Sequence, residues 1–152
     1  MAASRPESAI VNFYGVESTM GGHLDDAEPC QRAPIVSLSL GLDAIYLLGG
    51  ASKAEPPRAL RLRSGDVVLQ GGASRGFYHG VPRVLAGTLP AALEQAAATE
   101  GQRDVVAWLR AHRMNINVRQ VYELPADERR GEEQRAVGAS SSEAQAAERT
   151  SG

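Results

Sequence analysis

Two histidines and one carboxylate are the residues of this chain best suited to chemistry. His23 and Asp25 stand at i and i+2 in GGHLDD, so on an extended segment both side chains project to one side. Two ligands of a shared metal need that arrangement. His79, in GFYHGV, supplies a third donor just ahead of a turn-prone glycine. Two histidines and a carboxylate with no further protein ligand form the facial triad of non-haem Fe(II) sites, which leaves positions open for substrate and oxygen. Zinc hydrolases use the same donor types, so the ligand set by itself leaves the metal open between the two.

A second constellation lies at 113–122, RMNINVRQVY, where Arg113, Asn115, Asn117 and Arg119 alternate with Met114, Ile116 and Val118. On a strand the two sets occupy opposite faces. The apolar face is expected to be core. The other holds two guanidinium groups and two amides with no acid among them, which suits a dicarboxylate, because arginine binds carboxylate through paired N–H donors and stays charged. Asn12 and Tyr14 alternate in VNFYG and offer an amide and a phenol to the same ligand. A 2-oxoglutarate molecule needs a metal at its keto-acid end and a cation at its distal carboxylate, and the triad and the arginine strand answer those needs together.

Other polar residues near these motifs have plainer readings. Asp26 points away from Asp25 on an extended segment and is a surface acid, and Asp66 in SGD is a turn residue. Lys53, the only lysine of the chain, is a surface residue able to meet a phosphate. Trp108 is expected to anchor the core of a helical segment.

The elements that must position these groups are short. PIVSLSL (34–40) and ALRLR (59–63) alternate apolar and polar residues, and with AIYLL (44–48) and DVVLQ (66–70) they lie between glycine- and proline-rich turns, which predicts strands arranged as a run of hairpins. The alanine- and leucine-rich stretch 89–112 predicts one or two helices inserted between late strands. Many short strands without βαβ alternation predict a sandwich or barrel, the jelly roll among them.

Composition sets the bounds. The 152 residues suffice for one hydrophobic core. The expected organisation is a flexible start at 1–8, a core at 9–122 and a polar, disordered tail at 123–152, too poor in large apolar residues to offset its ordering entropy. The net charge of −2 arises from the acidic tail, so a phosphate-bearing substrate must be met by a local patch rather than a global field. No apolar run is long enough to span a bilayer, and a single cysteine, Cys30, favours a reducing, intracellular compartment; no membrane association is expected.

The motifs VNFYG, STMGGHLDD, APIVSLSLGLDAIYLLGG, SGDVVLQGGASRGFYHGVPRVL and RMNINVRQV, in this order from about Ala9 to Tyr122, resemble the AlkB family of nucleic-acid dioxygenases, and within it the eukaryotic homologue one type. The resemblance implies a mainly β fold, the double-stranded β-helix or jelly roll, with the helical insert at 89–112. It implies Fe(2+) held by His23, Asp25 and His79, and 2-oxoglutarate held by Asn12, Tyr14, Arg113, Asn115, Asn117 and Arg119, with O2 as co-substrate. Arg113 would meet the distal carboxylate and Arg119 would lie nearer the metal. The implied reaction couples decarboxylation of 2-oxoglutarate to hydroxylation of an N-methyl group on a base of RNA, tRNA or DNA, the product then losing formaldehyde. The family's nucleotide-recognition region precedes the first motif and is not expected within these residues. Ala27 and Lys53 differ from the acidic residue and the arginine of bacterial AlkB. An inactive cofactor-binding module and a protein-directed hydroxylase or demethylase are the alternatives.

Overall fold

Short segments between glycine- and proline-rich turns form eight strands among the described residues: β1 (Ser8–Gly15), β2 (Met20–His23), β3 (Ile35–Gly41), β4 (Ala44–Leu48), β5 (Arg58–Leu62), β6 (Val67–Gln70), β7 (His79–Val84) and β8 (His112–Arg119). In this computed structural model, which describes residues 5–96, 101–126, 128 and 131, they form two antiparallel four-stranded sheets. The strand orders are β1-β8-β3-β6 and β2-β7-β4-β5. This interleaving is the double-stranded β-helix, a jelly roll.

The expected run of hairpins is corrected by this topology. Among consecutive strands only β4 and β5 pair with each other; every other connection crosses between the sheets. The β3–β4 crossing shows why. Gly41 takes φ +84°, and a Cβ there would lie 2.5 Å from the His112 carbonyl oxygen, so only glycine makes this turn without strain. The chain then buries Leu42 completely and enters the opposite sheet. Sequence alternation reports strands; it does not report which strand lies beside which.

A second correction concerns the faces of β8. Arg113, Asn115 and Arg119 are the buried residues of that strand, whereas Met114, Ile116 and Val118 are only half-buried. The space between the sheets holds a cavity rather than a fully packed core, and β8 lines it with its polar side chains, so the polar face turns inward and the apolar face outward. The same parity runs across the sheet. Val11 and Phe13 on β1, which pair with Ile116 and Met114, and Val67 and Leu69 on β6 are exposed. Buried apolar clusters share the cavity wall: Ala44, Tyr46, Leu62 and Val81 form one and Tyr14, Leu42 and Val84 another.

Helices α1 (Ala91–Ala96) and α2 (Arg103–Leu109) lie between β7 and β8, as the composition of 89–112 predicts. Arg110 ties them by pairing with Glu94 at 2.6 Å. Trp108 is not the core anchor expected of it: Val106 fills the buried position of α2, while Trp108 stays 36% exposed. Its ring stacks on His112 at 4.2 Å and meets Phe13 edge-on at 5.5 Å. Seven residues make barely two turns, and one inward position is all such a helix offers.

The start of the chain is tied down where it is described. The Glu7 N–H donates to the Arg119 carbonyl at 2.9 Å, and its carboxylate accepts from the N–H groups of Val121 and Tyr122. Of the tail, Ala126, Glu128 and Gly131 are helical, and Glu128 pairs with Arg5 at 2.6 Å; Asp127, Arg129, Arg130 and residues 132–152 lie outside the described residues. Among the described residues no helix is long and apolar enough to cross a membrane.

Candidate metal centre and cofactor cavity

His23 ends β2 and His79 begins β7, and the antiparallel register sets the two directly opposite. Their closeness depends on Gly80, where a Cβ would stand 2.8 Å from the Met20 carbonyl oxygen and 3.1 Å from that of Gly21. Backbone cannot yield as a flexible side chain does. Gly80→Ala is therefore expected to push β2 from β7, costing about 1–3 kcal/mol and weakening any metal held between the histidines; thermal melting and a metal titration check both.

Asp25 follows β2 in a loop and points between the two rings. Its Oδ2 lies 3.4 Å from His79 Nε2 and its Oδ1 3.9 Å from His23 Nε2, and one donor atom from each of the three residues falls within 4.8 Å of the others. The far nitrogens face backbone: His23 Nδ1 lies 3.0 Å from the Gly21 carbonyl and His79 Nδ1 3.2 Å from that of Phe77. An Nδ1–H donated to each carbonyl turns both Nε2 atoms toward Asp25, the orientation from which metal ligands bind. Burial by itself would raise the Asp25 pKa, but the hydrogen bond with His79 and the charge of Arg119 outweigh it and hold the carboxyl at about 2. The donor set is thus two imidazoles and an ionised carboxylate, which fits a divalent cation with open positions.

These three residues line a cavity of about 220 Å³ together with Asn12, Tyr14, Arg113, Asn115, Asn117 and Arg119, roughly seven times a water's share of liquid volume. Every residue nominated from the sequence for the metal or the dicarboxylate meets there. Arg119 sits at the metal end, its Nη2 2.9 Å from Asp25 Oδ1. Arg113 lies apart from that pair, 1% exposed, with Nη2 donating to Ser39 Oγ at 2.8 Å and the guanidinium carbon 5.6 Å from the centre of the Tyr14 ring. Its Nε and Nη1 are buried without a hydrogen-bond partner. A buried guanidinium with two idle N–H groups is costly unless an anion completes it, and a carboxylate accepts from just such a pair. Burial pushes the Arg113 pKa down, partly offset by the Tyr14 phenol, and burial pushes the Tyr14 phenol up, so the phenol stays protonated and able to donate. Asn115 is partly engaged already, its amide donating to Ser37 Oγ and the Leu38 carbonyl.

Several neighbours were not legible beforehand. Tyr46 and Gln70 line the cavity; the Tyr46 hydroxyl donates to Gln70 Oε1 at 3.1 Å, and burial pushes its pKa up to about 12. In AIYLL and DVVLQ they look like ordinary strand residues. Glu28 and Arg75, which buttress the Asp25 loop, carry no signal in the sequence. Asp26 is exposed and Asp66 accepts from the Arg63 N–H at 2.7 Å within its turn, both as expected. Lys53 lies 5.3 Å from the centre of the Tyr78 ring in a groove that also reaches His79.

A jelly roll whose cavity sets a His/Asp/His donor group against an uncompensated arginine has the architecture of a metal-dependent oxygenase that takes a 2-oxo dicarboxylate. The chain belongs to the 2OG-Fe(II) oxygenase superfamily, whose family model matches residues 1–119, and Fe(2+), 2-oxoglutarate and O2 are the cofactor and co-substrates of that family. Its relatives are AlkB-like. The DNA N(6)-methyladenine demethylase ALKBH1A of Arabidopsis thaliana is 50% identical over 121 residues, covering 78% of this chain and 35% of that protein. The tRNA demethylase abh1 of Schizosaccharomyces pombe is 44% identical over 117 residues, 77% of this chain and 37% of the relative. The alpha-ketoglutarate-dependent dioxygenase AlkB of Escherichia coli is 43% identical over 90 residues, 59% and 42%. The solved structure of OsALKBH1 matches with a TM-score of 0.63 at 33% identity, over 76% of this chain and 48% of that one. The chain thus spans 35–42% of the length of the curated relatives named here.

Proposed function

We propose that this chain carries the catalytic core of an Fe(II)/2-oxoglutarate-dependent dioxygenase that oxidatively demethylates N-methylated bases in nucleic acid. The observation that carries this reading is the pairing, inside one cavity, of the His23/Asp25/His79 donor set with the idle N–H groups of Arg113. In this reading His23, Asp25 and His79 hold Fe(II), which when bound supplies the oxidation. Arg113 receives the distal carboxylate of 2-oxoglutarate, with the Tyr14 hydroxyl and the Asn12 amide beside it. Arg119 fixes Asp25 at the metal end, and Asn115 and Asn117 line the wall between. The relatives' names, a DNA demethylase and a tRNA demethylase, support a methylated base as substrate. The groove of Lys53 and Tyr78 beside His79 offers a cation and an aromatic face to a nucleotide lifted out of its stack. The single cysteine, Cys30, is buried and free, which fits an intracellular setting.

The test is succinate and formaldehyde formation with Fe(II), ascorbate and labelled 2-oxoglutarate, offered methylated tRNA, methylated single-stranded DNA and methylated histone peptides in parallel. Formaldehyde from a nucleic acid, lost in His23→Ala, is the expected result. Equal turnover by wild type and His23→Ala overturns the metal assignment. Turnover only with peptides, or cofactor binding that no substrate stimulates, overturns the choice of substrate.

A further inference from the structure

Behind Asp25 lies a chain of buried charges that the proposed reaction does not by itself require. Arg75, in the 3-10 turn Gly72–Gly76, is 3% exposed. Its Nε donates to the Ala33 carbonyl at 3.2 Å, its Nη1 to the backbone carbonyl of Asp25, and its Nη2 pairs with Glu28 Oε2 at 3.3 Å. The other oxygen of Glu28 takes Nη1 of Arg119, whose Nη2 reaches Asp25 Oδ1. The order is therefore Arg75, Glu28, Arg119, Asp25, with alternating sign at every step and side-chain exposures of 3%, 9%, 7% and 11%.

Arg119 divides itself. It gives one terminal nitrogen to each carboxylate, and its Nε has no partner. A guanidinium facing a single carboxylate prefers to grip both oxygens with two parallel N–H donors, the stronger geometry. Glu28 takes Nη1 and so bars the end-on grip through both terminal nitrogens, and the Nε that a side-on grip would use is left without a partner. Asp25 Oδ2, the oxygen nearest His79 Nε2, stays clear as a result.

We propose that Glu28 is a positioning residue of the metal centre. By splitting the Arg119 fork it keeps Asp25 Oδ2 free for the metal, while Arg75 fixes both Glu28 and the loop that carries Asp25. This rests on His23, Asp25 and His79 holding the metal, and the test keeps the two ideas apart.

Mn(II), which binds such sites without oxidising, is titrated calorimetrically into the purified chain, with fold monitored by circular dichroism. Glu28→Gln keeps the shape but removes the charge that holds Nη1, and is expected to weaken Mn(II) binding about 10–100-fold, the range for outer partners of metal ligands. Adding Arg119→Met to Glu28→Gln removes the fork that would cover Asp25 and is expected to restore most of that loss. A purely architectural role for Glu28 predicts no such rescue. Wild-type Mn(II) affinity in Glu28→Gln, or a double variant that binds no more tightly than Glu28→Gln, overturns the proposal. If Glu28→Gln does not fold, Arg119→Met is compared with and without it: equal affinities support the proposal, and a further tenfold loss overturns it. Equal Mn(II) binding by wild type and His23→Ala instead sinks the metal reading itself.

Discussion

Arg113→Met is expected to lower 2-oxoglutarate affinity by about two to three orders of magnitude and to leave the ligand-free protein as stable as wild type or more so. The two halves have one cause. In the free protein the Arg113 charge is buried at 1% exposure with a serine hydroxyl as its one hydrogen-bond acceptor, and two of its nitrogens are unpaired. Methionine fills similar space without that desolvation, so its introduction relieves about 1–3 kcal/mol of unsatisfied polar burial. With a dicarboxylate bound, the same nitrogens make charge-assisted bonds in a dry site, and truncating one partner of such a pair costs about 2–5 kcal/mol, or about tenfold per 1.4 kcal/mol. Titration calorimetry with 2-oxoglutarate and thermal melting read the two effects separately. Wild type should melt several degrees higher at a hundredfold excess of 2-oxoglutarate over its Kd, since ligand linkage there is worth about 2.7 kcal/mol; Arg113→Met should melt at one temperature with or without it. A large loss of stability in ligand-free Arg113→Met would mean that the arginine serves the fold and not a ligand.

That double effect also marks what the sequence can and cannot disclose. Arg113, Asn115, Asn117 and Arg119 were visible as one face of a strand because side-chain alternation is a local property. Which face looks inward is not local. The ordinary expectation that Met114, Ile116 and Val118 point to core fails because the interior of this jelly roll is a ligand cavity, and a cavity that binds a charged molecule turns the usual polarity of a strand around. His23 and Asp25 were legible for the same local reason, and His79 by its donor type. Their meeting depends on the β2–β7 register and on a backbone approach that only Gly80 permits. Glu28 and Arg75 were invisible for a further reason: Arg75 reaches the Asp25 loop across 50 positions, and nothing in SRGF announces it. Trp108 misled through its size, because a short helix has little inward surface to give it. The family motifs conveyed the jelly roll as a whole, whereas periodicity by itself stopped at a set of strands that looked like hairpins.

Asp25→Ala should abolish metal binding more completely than His23→Ala does, although each variant removes one donor. His23 is the more exposed of the two and contributes a neutral imidazole, so its loss leaves a carboxylate and one nitrogen still facing the metal, with water free to take the vacated position. Removing Asp25 takes away the negative charge of the set. It also frees Nη2 of Arg119, which lies 2.9 Å from Asp25 Oδ1 in the native protein, and leaves that positive charge at the edge of the site. A divalent cation then meets one buried guanidinium and two neutral nitrogens. Electrostatics in a partly desolvated site, at an effective dielectric near 20, is worth about 4 kcal/mol for unit charges 4 Å apart, so the reversal from an attracting to a repelling neighbour exceeds the loss of a neutral ligand. The expected order of Mn(II) affinity is wild type, then His23→Ala, then Asp25→Ala, with the last more than a hundredfold below wild type and turnover at background. Asp25→Ala/Arg119→Met removes both the ligand and the repelling charge and should bind better than Asp25→Ala while staying below His23→Ala. Calorimetry on the four proteins decides it: if Asp25→Ala binds Mn(II) as well as His23→Ala, the charge of Arg119 is not felt at the metal, and its place beside Asp25 serves the loop alone.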